Sequence, residues 1–299
     1  MKVLKDNTAL PEGVAIALGA FDGIHTGHKK LVENIVSYAK DNNCCSCVYT
    51  FDVLPSGARY ITDFEQRIGI FESLGVDYLY IQRFDGDFKK MSAQNFLQSF
   101  IKEAKYVTVG FNFRFGNGRE GNTNVLEEYC RENNIDIDIV SPVYLNDEIV
   151  SSTKIRGYIE ENNFKMAKQM LGYDFSVSGT VVHGNAVGRT IGFPTANICV
   201  DENRIMPLEG VFATLTEYDG KFYPSISNYG GKPTFKDNKI LLETNLFDFD
   251  GDLYGKKINV HFIEKLRDIV AFESIEALKK QLISDKNETL KIFQKTIYK

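Results

Sequence analysis

The pattern of hydrophobic and polar positions changes about halfway along the chain. Between Val14 and about Ile149, apolar runs typical of buried strands alternate with segments that have the spacing of amphipathic helices. The strand-like runs are VAIALGAF, CCSCVYTF, VDYLYIQRF, KYVTVGFNF and IDIDIVSPVYL. The helix-like segments that follow them are HKKLVENIVSYAK, FEQRIGIFESLG, SAQNFLQSFIKEA, NVLEEYCRENN and SSTKIRGYIEEN. This alternation predicts an α/β domain with a doubly wound parallel sheet, in which ligands bind beyond the carboxyl ends of the strands.

The second half of the chain has a different pattern. Residues 164–172 (FKMAKQMLG) predict the last helix of the first domain, and from Phe175 to about Ile263 short strands are separated by turns. The turns are YDGK (218–221), NYGGKP (228–233) and DFDGD (248–252). This pattern is typical of an antiparallel β-barrel or sandwich. A terminal helix is predicted by apolar residues at near-helical spacing, namely Ile275, Leu278, Leu282, Leu290 and Phe293. We therefore expect two domains, residues 1–172 and 173–299.

Composition and charge narrow the class of protein. The chain of 299 residues is 43% hydrophobic and 25% charged, which is typical of folded domains. Its 35 basic and 40 acidic residues leave a net charge of −5, so a general affinity for nucleic acid is not expected. Small phosphorylated ligands are the expected partners. The N-terminus lacks a signal-peptide pattern, and no apolar run approaches the roughly 18 residues of a membrane span, so we expect a cytoplasmic protein. The pattern gives no oligomeric state.

The five cysteines do not form the pattern of a disulfide scaffold. Cys44 and Cys47 have C-x-x-C spacing, but the surrounding residues alternate like a strand, which would direct the two side chains to opposite faces. We therefore interpret these cysteines as packing residues and not as a metal site.

The segment GAFDGIHTGH, Gly19 to His28, lies between a strand-like run and a helix-like one and contains two of the four histidines. Backbone N–H groups at the start of a helix form a natural phosphate site. Gly23 and Gly27 allow a tight turn, and His25 and His28 at i and i+3 lie on one side of the first helical turn. Each imidazole can donate a hydrogen bond to a phosphate and titrates near neutral pH. The alternative is a helix start with incidentally placed histidines.

This segment resembles the H-x-G-H signature of the nucleotidyltransferase superfamily, and its longer form is similar to the adenylyltransferase module of bifunctional riboflavin kinase/FAD synthetases. Two further segments, GFNFRFGNGREG (110–121) and SSTKIR (151–156), match that family in the same order. From chemistry alone, Ser152, Thr153 and Arg156 at a helix start offer hydroxyl groups and a guanidinium to an anion. The alternative is a helix N-cap with a solvated arginine.

The resemblance implies a Rossmann-like nucleotidyltransferase domain that binds MgATP over the glycine-histidine turn, with a flavin phosphate attacking the α-phosphorus. No protein nucleophile is needed, and His25, His28 and Arg156 would position the phosphates and neutralise their charge. Asn112 and Phe113 are implied to contact the flavin. The residues implied to bind ATP in this domain are Gly19, Phe21, Asp22, Gly23, Gly27, Ser152, Thr153 and Arg156.

A second motif, VHGNAVGRTIGFPTAN, runs from Val182 to Asn197 and lacks the Lys-Ser/Thr ending of a P-loop. Thr195 and Asn197 would share one face of an extended segment and could offer a hydroxyl and an amide carbonyl to Mg²⁺. A turn-rich barrel rim is the structural alternative.

This region is similar to the riboflavin kinase module, whose Gly-Phe-Pro-Thr-Ala-Asn segment holds ATP and magnesium. The similarity continues through SNYGGKPTF (227–235), ETNLFDFDGDLYG (243–255) and LRDIVAF (266–272). It implies a β-barrel kinase domain with Thr195 and Asn197 as metal ligands. The residues implied to bind ATP are His183, Gly184, Gly188, Arg189, Thr195 and Asn197. Arg267 is implied to meet flavin or phosphate charge, with a surface salt bridge as the alternative.

Glu243 aligns with the catalytic glutamate of that family. It alternates with Leu241, Phe247 and Phe249, so we expect a carboxylate on a largely apolar strand face, where it needs a partner or a function. The hypothesis is a general base that accepts the proton of the 5′-hydroxyl of riboflavin as this oxygen attacks the γ-phosphorus of ATP. The alternative is a rim carboxylate paired with a lysine or arginine.

The chain departs from the family pattern at a few positions. Leu54 and Val53 replace a histidine and a proline, so the adenylyl step loses a phosphate contact. Lys154 and Lys232 stand where arginine is common, and Asn245 where histidine is common, and lysine keeps the charge without the bidentate fork. We therefore expect FAD synthesis to be slower than FMN synthesis.

The sequence thus predicts a bifunctional enzyme that makes FMN and then FAD, with riboflavin, FMN and ATP as substrates and Mg²⁺ as cofactor. Two alternatives stay open. One is a riboflavin kinase with an impaired first domain, and the other is a flavin-binding sensor without turnover.

Overall fold

The computed structural model describes residues 1–5, 8–184, 188, 191–230 and 240–297. The chain divides into two compact units, Met1–Ser152 and Thr153–Lys299. The two helices that precede the barrel strands pack as part of the second unit. As a boundary between functional domains, residue 172 stays a prediction.

The first unit is an α/β fold, as predicted. Its strands are β1 (Lys2–Lys5), β2 (Val14–Leu18), β3 (Ser46–Phe51), β4 (Tyr78–Gln82), β5 (Ala104–Gly110), β6 (Arg114–Phe115), β7 (Gly121–Asn122), β8 (Asp136–Val140), β9 (Tyr144–Leu145) and β10 (Glu148–Ile149). Its helices are α1 (Thr26–Asp41), α2 (Phe64–Ser73), α3 (Gly86–Lys89), α4 (Ala93–Phe100) and α5 (Thr123–Glu132). A parallel six-stranded sheet has the order β1-β4-β3-β2-β5-β8. The chain leaves β2 toward β3 and later returns on its other side as β5, so a ligand crevice is expected at the carboxyl end of β2.

The parallel sheet is covered on both faces, as the central strand β2 shows. All five of its residues are buried. Because successive side chains point to opposite faces, Ile16 and Leu18 enter one apolar cluster and Ala15 and Ala17 the other. The strand therefore holds the turn that follows it rigidly at the carboxyl edge of the sheet.

The second unit is a closed antiparallel barrel with flanking helices, which confirms the predicted barrel and terminal helix. It begins with α6 (Ser152–Glu160, of which Ser152 belongs to the first unit) and α7 (Phe164–Leu171). The strands are β11 (Ser176–Val182), β12 (Ala196–Val200), β13 (Gly210–Tyr218), β14 (Lys221–Tyr229), β15 (Ile240–Leu246) and β16 (Lys257–Arg267), and α8 spans Ile275–Ile297. The barrel order is β11-β12-β15-β14-β13-β16. Asp219 and Gly220, both with positive φ, form the tight hairpin predicted from YDGK.

The two faces of the barrel strands have different surroundings. Five fully buried hydroxyl side chains on β13, β14 and β15 form a chain of hydrogen bonds, each 2.8 Å long. They are Thr216, Ser225, Thr214, Ser227 and Thr244. On the opposite face, Val211, Ile226 and Phe247 form an apolar cluster against which Leu290 of α8 packs. The terminal helix therefore covers part of the strands on the face opposite the hydroxyl chain.

All five cysteines lie within the described residues and are free thiols. Cys47 is buried and Cys44 packs, partly buried, against a core cluster, which confirms their interpretation as packing residues. The strand begins at Ser46, so Cys44 precedes it. Within the described part of the chain, no group of three or more His, Cys, Asp or Glu side chains could hold a metal ion. Among the same residues, no helix combines the length and the apolar character that crossing a membrane requires.

Candidate active sites

The turn after β2 has backbone conformations that its residues rarely adopt. Phe21 has φ 49° and Ile24 has φ 34°, and both side chains are fully buried. A positive φ is uncommon for any residue other than glycine and is an outlier for a β-branched one. Gly23, with φ 77°, takes such a conformation without steric cost. Local strain of this kind persists where the surroundings enforce it, and it clusters at functional sites.

Asp22 and Gly23 tie this turn to a neighbouring segment. The Asp22 carboxylate accepts hydrogen bonds from the backbone N–H groups of Ile61, at 2.8 Å, and Thr62, at 3.3 Å. The Gly23 N–H donates to the Thr62 hydroxyl at 3.0 Å. The ring of Phe21 lies against Gly19, since a Cβ there would be 3.1 Å from it. These contacts hold the turn in shape, and the ATP contacts of Gly19, Phe21, Asp22 and Gly23 stay predictions.

The two histidines of the motif are in direct contact. Their ring centroids are 3.6 Å apart and the rings are inclined by 16°, so they stack. His25 is the N-cap of α1, and its Nδ1 accepts the backbone N–H of His28 at 3.3 Å. Gly27 allows this packing, because a Cβ there would lie 3.2 Å from the His25 ring. The expectation that both rings share one side of the first turn is confirmed.

Burial makes both imidazoles neutral at pH 7. It lowers the pKa of His25 from 6.5 to about 4, and burial together with the nearby His25 lowers the pKa of His28 well below its usual value. The expectation that these rings titrate near neutral pH and bring positive charge is therefore wrong. Because Nδ1 of His25 is an acceptor, its neutral ring carries the proton on Nε2 and can donate it. Nδ1 of His28 is buried and has no partner among the described residues.

The predicted flavin segment starts at the same edge of the sheet, because β5 runs parallel to β2. After β5 the Phe113 N–H donates to the Gly110 carbonyl at 3.0 Å, and the rings of Phe113 and Phe115 stack at 5.6 Å. Asn112 is exposed. Both Asn112 and Phe113 are therefore near the carboxyl edge, and their contact with flavin stays a prediction.

The segment after β3 also reaches this edge. Here Val53 is 56% exposed, and Leu54 presents an apolar side chain at the position where the resemblance implies a histidine in many relatives. A leucine cannot donate a hydrogen bond to phosphate. The sequence-based expectation of a weaker adenylyl step therefore stays a prediction with a defined chemical cause.

Ser152 connects the last predicted segment of this site to the turn. Its hydroxyl donates to the backbone carbonyl of Asp22 at 2.9 Å. Thr153 and Arg156 follow in α6 and belong to the second compact unit, so their part in nucleotide binding stays a prediction.

In the barrel, three polar residues form a row across neighbouring strands. Glu243 of β15 is paired in register with Asn197 of β12 on one side and with Asn228 of β14 on the other. Directly opposed residues of antiparallel strands have Cβ atoms about 5 Å apart. The candidate base and one candidate metal ligand are thus cross-strand neighbours.

Glu243 does not lie on the apolar face that the sequence pattern indicated. Leu242 and Leu246 are buried on the opposite face, and Glu243 shares its own face with Leu241 and Asn245, which are both half-buried. The strand ends at Leu246, so its alternation does not continue to Phe247 and Phe249. Burial nevertheless raises the pKa of Glu243, while a hydrogen bond from Asn228 lowers it. Among the described residues Glu243 has no basic partner.

The glycines of the second motif lie where the backbone is crowded. A side chain at Gly184 would collide with the amide of Asn197, which is 6% exposed. The Gly188 carbonyl accepts hydrogen bonds from the N–H groups of Ile191, at 3.2 Å, and Phe193, at 2.8 Å. A side chain at Gly188 would collide with the Phe193 carbonyl. Close packing accounts for both glycines, and their contacts with ATP stay predictions.

Two further contacts shape this region. Asn245 Nδ2 donates to the Pro194 carbonyl at 2.6 Å, which ties β15 to the segment that carries Thr195. The rings of His183 and Tyr254 stack with centroids 3.8 Å apart. Sequence reasoning did not assign a function to Asn228 or Tyr254, although both lie in motif segments. Only the strand register and the ring contact identify them.

Arg267 is engaged with the terminal helix. Its guanidinium makes a bidentate ion pair with Asp285 of α8, with Nη2 2.9 Å from Oδ2, and Asp285 is 1% exposed. Nη1 also donates to the Asp268 carbonyl at 3.1 Å. This is a largely buried ion pair instead of the surface salt bridge considered from the sequence. Flavin binding by Arg267 stays a prediction, and Arg189 and Lys232 lie outside the described residues.

Comparisons with known proteins agree with the two units. The FAD synthetase family model matches residues 7–154, and the riboflavin kinase family model matches residues 171–293. Curated bifunctional riboflavin kinase/FMN adenylyltransferases are similar over most of the chain. The protein from Buchnera aphidicola subsp. Acyrthosiphon pisum is 36% identical, with 90% of each chain covered. The Listeria monocytogenes protein is 33% identical, with 94% of this chain and 92% of the relative covered. The Escherichia coli K12 protein is 33% identical, with 92% and 91% covered.

Among solved structures, one described as a macrolide-efflux protein from Streptococcus pneumoniae has a TM-score of 0.87 and 32% identity. The match covers 97% of this chain and 99% of the chain in that structure. That description differs from the names of the curated relatives, which agree with both family models. With both models matched in succession and relatives above 30% identity along nearly the whole length, the chain belongs to the family of bifunctional riboflavin kinase/FMN adenylyltransferases.

Proposed function

We propose that the barrel unit phosphorylates riboflavin to FMN, that the α/β unit adenylylates FMN to FAD, and that each reaction has its own ATP site. The observation that carries the kinase assignment is the in-register row Asn197–Glu243–Asn228, with its half-buried carboxylate. The adenylyltransferase assignment is supported by the neutral, stacked histidines at the start of α1.

In the kinase reaction, Glu243 is the general base. It accepts the proton of the 5′-hydroxyl of riboflavin while this oxygen bonds to the γ-phosphorus of ATP and the bond to the ADP oxygen breaks. Burial raises the pKa of Glu243, which makes the carboxylate a better proton acceptor. No basic partner within the described residues competes for it.

Thr195 and Asn197 would hold Mg²⁺ together with the phosphates of ATP. Their hydroxyl and amide oxygens are hard donors, which suit this ion, and the nucleotide and water complete its coordination. The packing of the Asn197 amide against Gly184 supports this fit, because it restricts the side chain before any ligand binds. When bound, the ion neutralises charge on the transferred phosphoryl group.

In the adenylyltransferase reaction, a phosphate oxygen of FMN attacks the α-phosphorus of ATP and pyrophosphate leaves. His25 donates a hydrogen bond through Nε2, and His28 offers a second imidazole beside it. The N–H groups at the start of α1 add the positive end of the helix dipole. Catalysis at this site then rests on positioning and hydrogen bonding, with Arg156 as the proposed source of positive charge and Asn112 and Phe113 as the proposed flavin contacts.

A chromatographic time course of riboflavin with MgATP tests the assignment. FMN should appear first and FAD second. The Glu243→Gln variant should slow FMN formation by roughly 10²- to 10⁴-fold, the usual contribution of a general base, but still convert supplied FMN to FAD. FMN without FAD at high enzyme concentration would favour a kinase with an impaired first unit, and tight flavin binding without turnover would favour a sensor. Because both reactions use ATP, we propose that they take place in the cytoplasm.

A further inference from the structure

Asn228 lies directly opposite Glu243 in the barrel and hydrogen-bonds its side chain. An ionised carboxylate has only acceptor atoms, so the amide must present its Nδ2 group to Glu243. The other amide atom, Oδ1, is buried and has no partner among the described residues. The hydrogen bond to Glu243 is therefore the interaction that orients this amide within the described part of the barrel.

The backbones under these two side chains are fixed from the opposite face of the same strands. The adjacent residues Ser227 and Thr244 are also paired in register, and their hydroxyls are 2.8 Å apart and fully buried. With both strands held in this way, the freedom that remains at the candidate base is that of its side-chain torsions. A glutamate side chain has three of them, and a general base must be aligned with the proton that it accepts.

We propose that Asn228 is a positioning residue for riboflavin phosphorylation, which holds the Glu243 carboxylate in the orientation that receives the proton of the 5′-hydroxyl. Asn228 acts through Glu243 and contacts no reacting atom. The inference rests on the proposed role of Glu243 as the base. It adds a role for Asn228, to which the proposed kinase mechanism gives none.

The test compares Asn228→Ala and Asn228→Leu with a matched control. Misplacement of the base predicts a fall in kcat for FMN formation of about 10- to 100-fold. The KM for riboflavin and its Kd, measured by flavin fluorescence, should stay within about twofold. FAD formation from supplied FMN should keep its wild-type rate, which shows that the first unit is intact, and the unchanged Kd for riboflavin shows that the barrel is folded.

Asn259→Ala is the control. Asn259 of β16 is paired in register with Glu217 of β13 and donates to its carboxylate at 3.4 Å. The Asn259→Ala substitution therefore removes the same type of cross-strand Asn–Glu hydrogen bond from another part of the same barrel. Asn259→Ala should leave the kinase kcat unchanged. An equal fall in both variants would overturn the proposal, because it would show a general sensitivity of the barrel.

A double variant separates positioning from other roles. In the Glu243→Gln background, Asn228→Ala should cause no further fall in kcat, because the group on which it acts is already gone. A further fall of the same size as in the wild-type background would overturn the proposal. An unchanged kcat in Asn228→Ala would also overturn the proposal. If Glu243→Gln were strongly impaired in the same assay, the assignment of Glu243 as the base would still stand. Near-full turnover of Glu243→Gln would instead refute the base assignment itself.

Discussion

The imidazole rings of His25 and His28 stack 3.6 Å apart, with Nδ1 of His25 accepting the backbone N–H of His28. This contact makes the first residue of the pair a helix cap and leaves Nε2 as its donor. One local arrangement thus starts α1 and also leaves a neutral imidazole N–H free to donate, as the proposed phosphate contact requires. The helix start that the sequence left as an alternative reading and the phosphate contact are therefore compatible.

We expect His28→Ala to lower the rate of FAD formation from FMN by about 100-fold, since it removes one preorganised polar group from the phosphate site. Riboflavin phosphorylation should be unaffected. The measurement is the initial rate of pyrophosphate release at saturating FMN and ATP. His261→Ala, a half-buried histidine of the barrel, is the control and should leave this rate unchanged. Equal rates in His28→Ala and the wild type would contradict the proposed role.

The pKa of His25 makes the stability of the first unit depend on pH. Its folded value of about 4 lies below the ordinary 6.5, so between these values the unfolded chain binds a proton that the folded chain does not. The contribution is fully present above pH 6.5 and is lost as the pH falls. Between about pH 7.5 and about pH 5 we expect a loss of about 2 kcal/mol from this group. Urea unfolding at the two values measures it.

In the His25→Gln variant, the fall in unfolding free energy over the same pH range should be smaller. A pH dependence identical to that of the wild type would show that this imidazole titrates normally in the folded chain.

We expect Gly184→Ala to abolish most riboflavin kinase activity, because the new methyl group would collide with the Asn197 amide and displace a proposed metal ligand. FMN adenylylation should continue. The measurement is FMN formation over a range of Mg²⁺ concentrations. Gly157→Ala is the matched control, since a Cβ at this position in α6 meets nothing within 4 Å. The control should retain activity and gain up to about 1 kcal/mol of stability from helix propensity. Full kinase activity in Gly184→Ala would contradict the close packing of residues 184 and 197.

Asp285→Ala should destabilise the barrel unit by about 3 kcal/mol, because it leaves the largely buried Arg267 guanidinium without its bidentate partner. Chemical denaturation followed by circular dichroism measures the change. Asp268→Ala removes a partner of Lys265 in an exposed ion pair and should have little effect. Similar effects of the two variants would show that the Arg267–Asp285 pair contributes no more than a surface pair.

The local pattern of the sequence determined the elements and the turns. Strand-helix alternation predicted the parallel sheet, and YDGK predicted the hairpin at Asp219 and Gly220, because side-chain periodicity and turn preferences are properties of neighbouring residues. The two motifs also indicated where the candidate sites lie along the chain. His25 and His28 were expected on one side of a helical turn because helical spacing is local.

Only the tertiary structure decided the environment of these groups. The neutrality of the histidines depends on how deeply the folded chain buries them, which lowers the pKa of His25 to about 4. The neighbours of Glu243 depend on strand register, which brings Asn197, Asn228 and Glu243 into one row although they are far apart along the chain. Periodicity predicts which residues of a strand share a face, but it predicts neither the residue at which the strand ends nor the strand that pairs with it. For that reason the site motifs could be found in the sequence, whereas the partner of Arg267 and the residue that orients Glu243 could not.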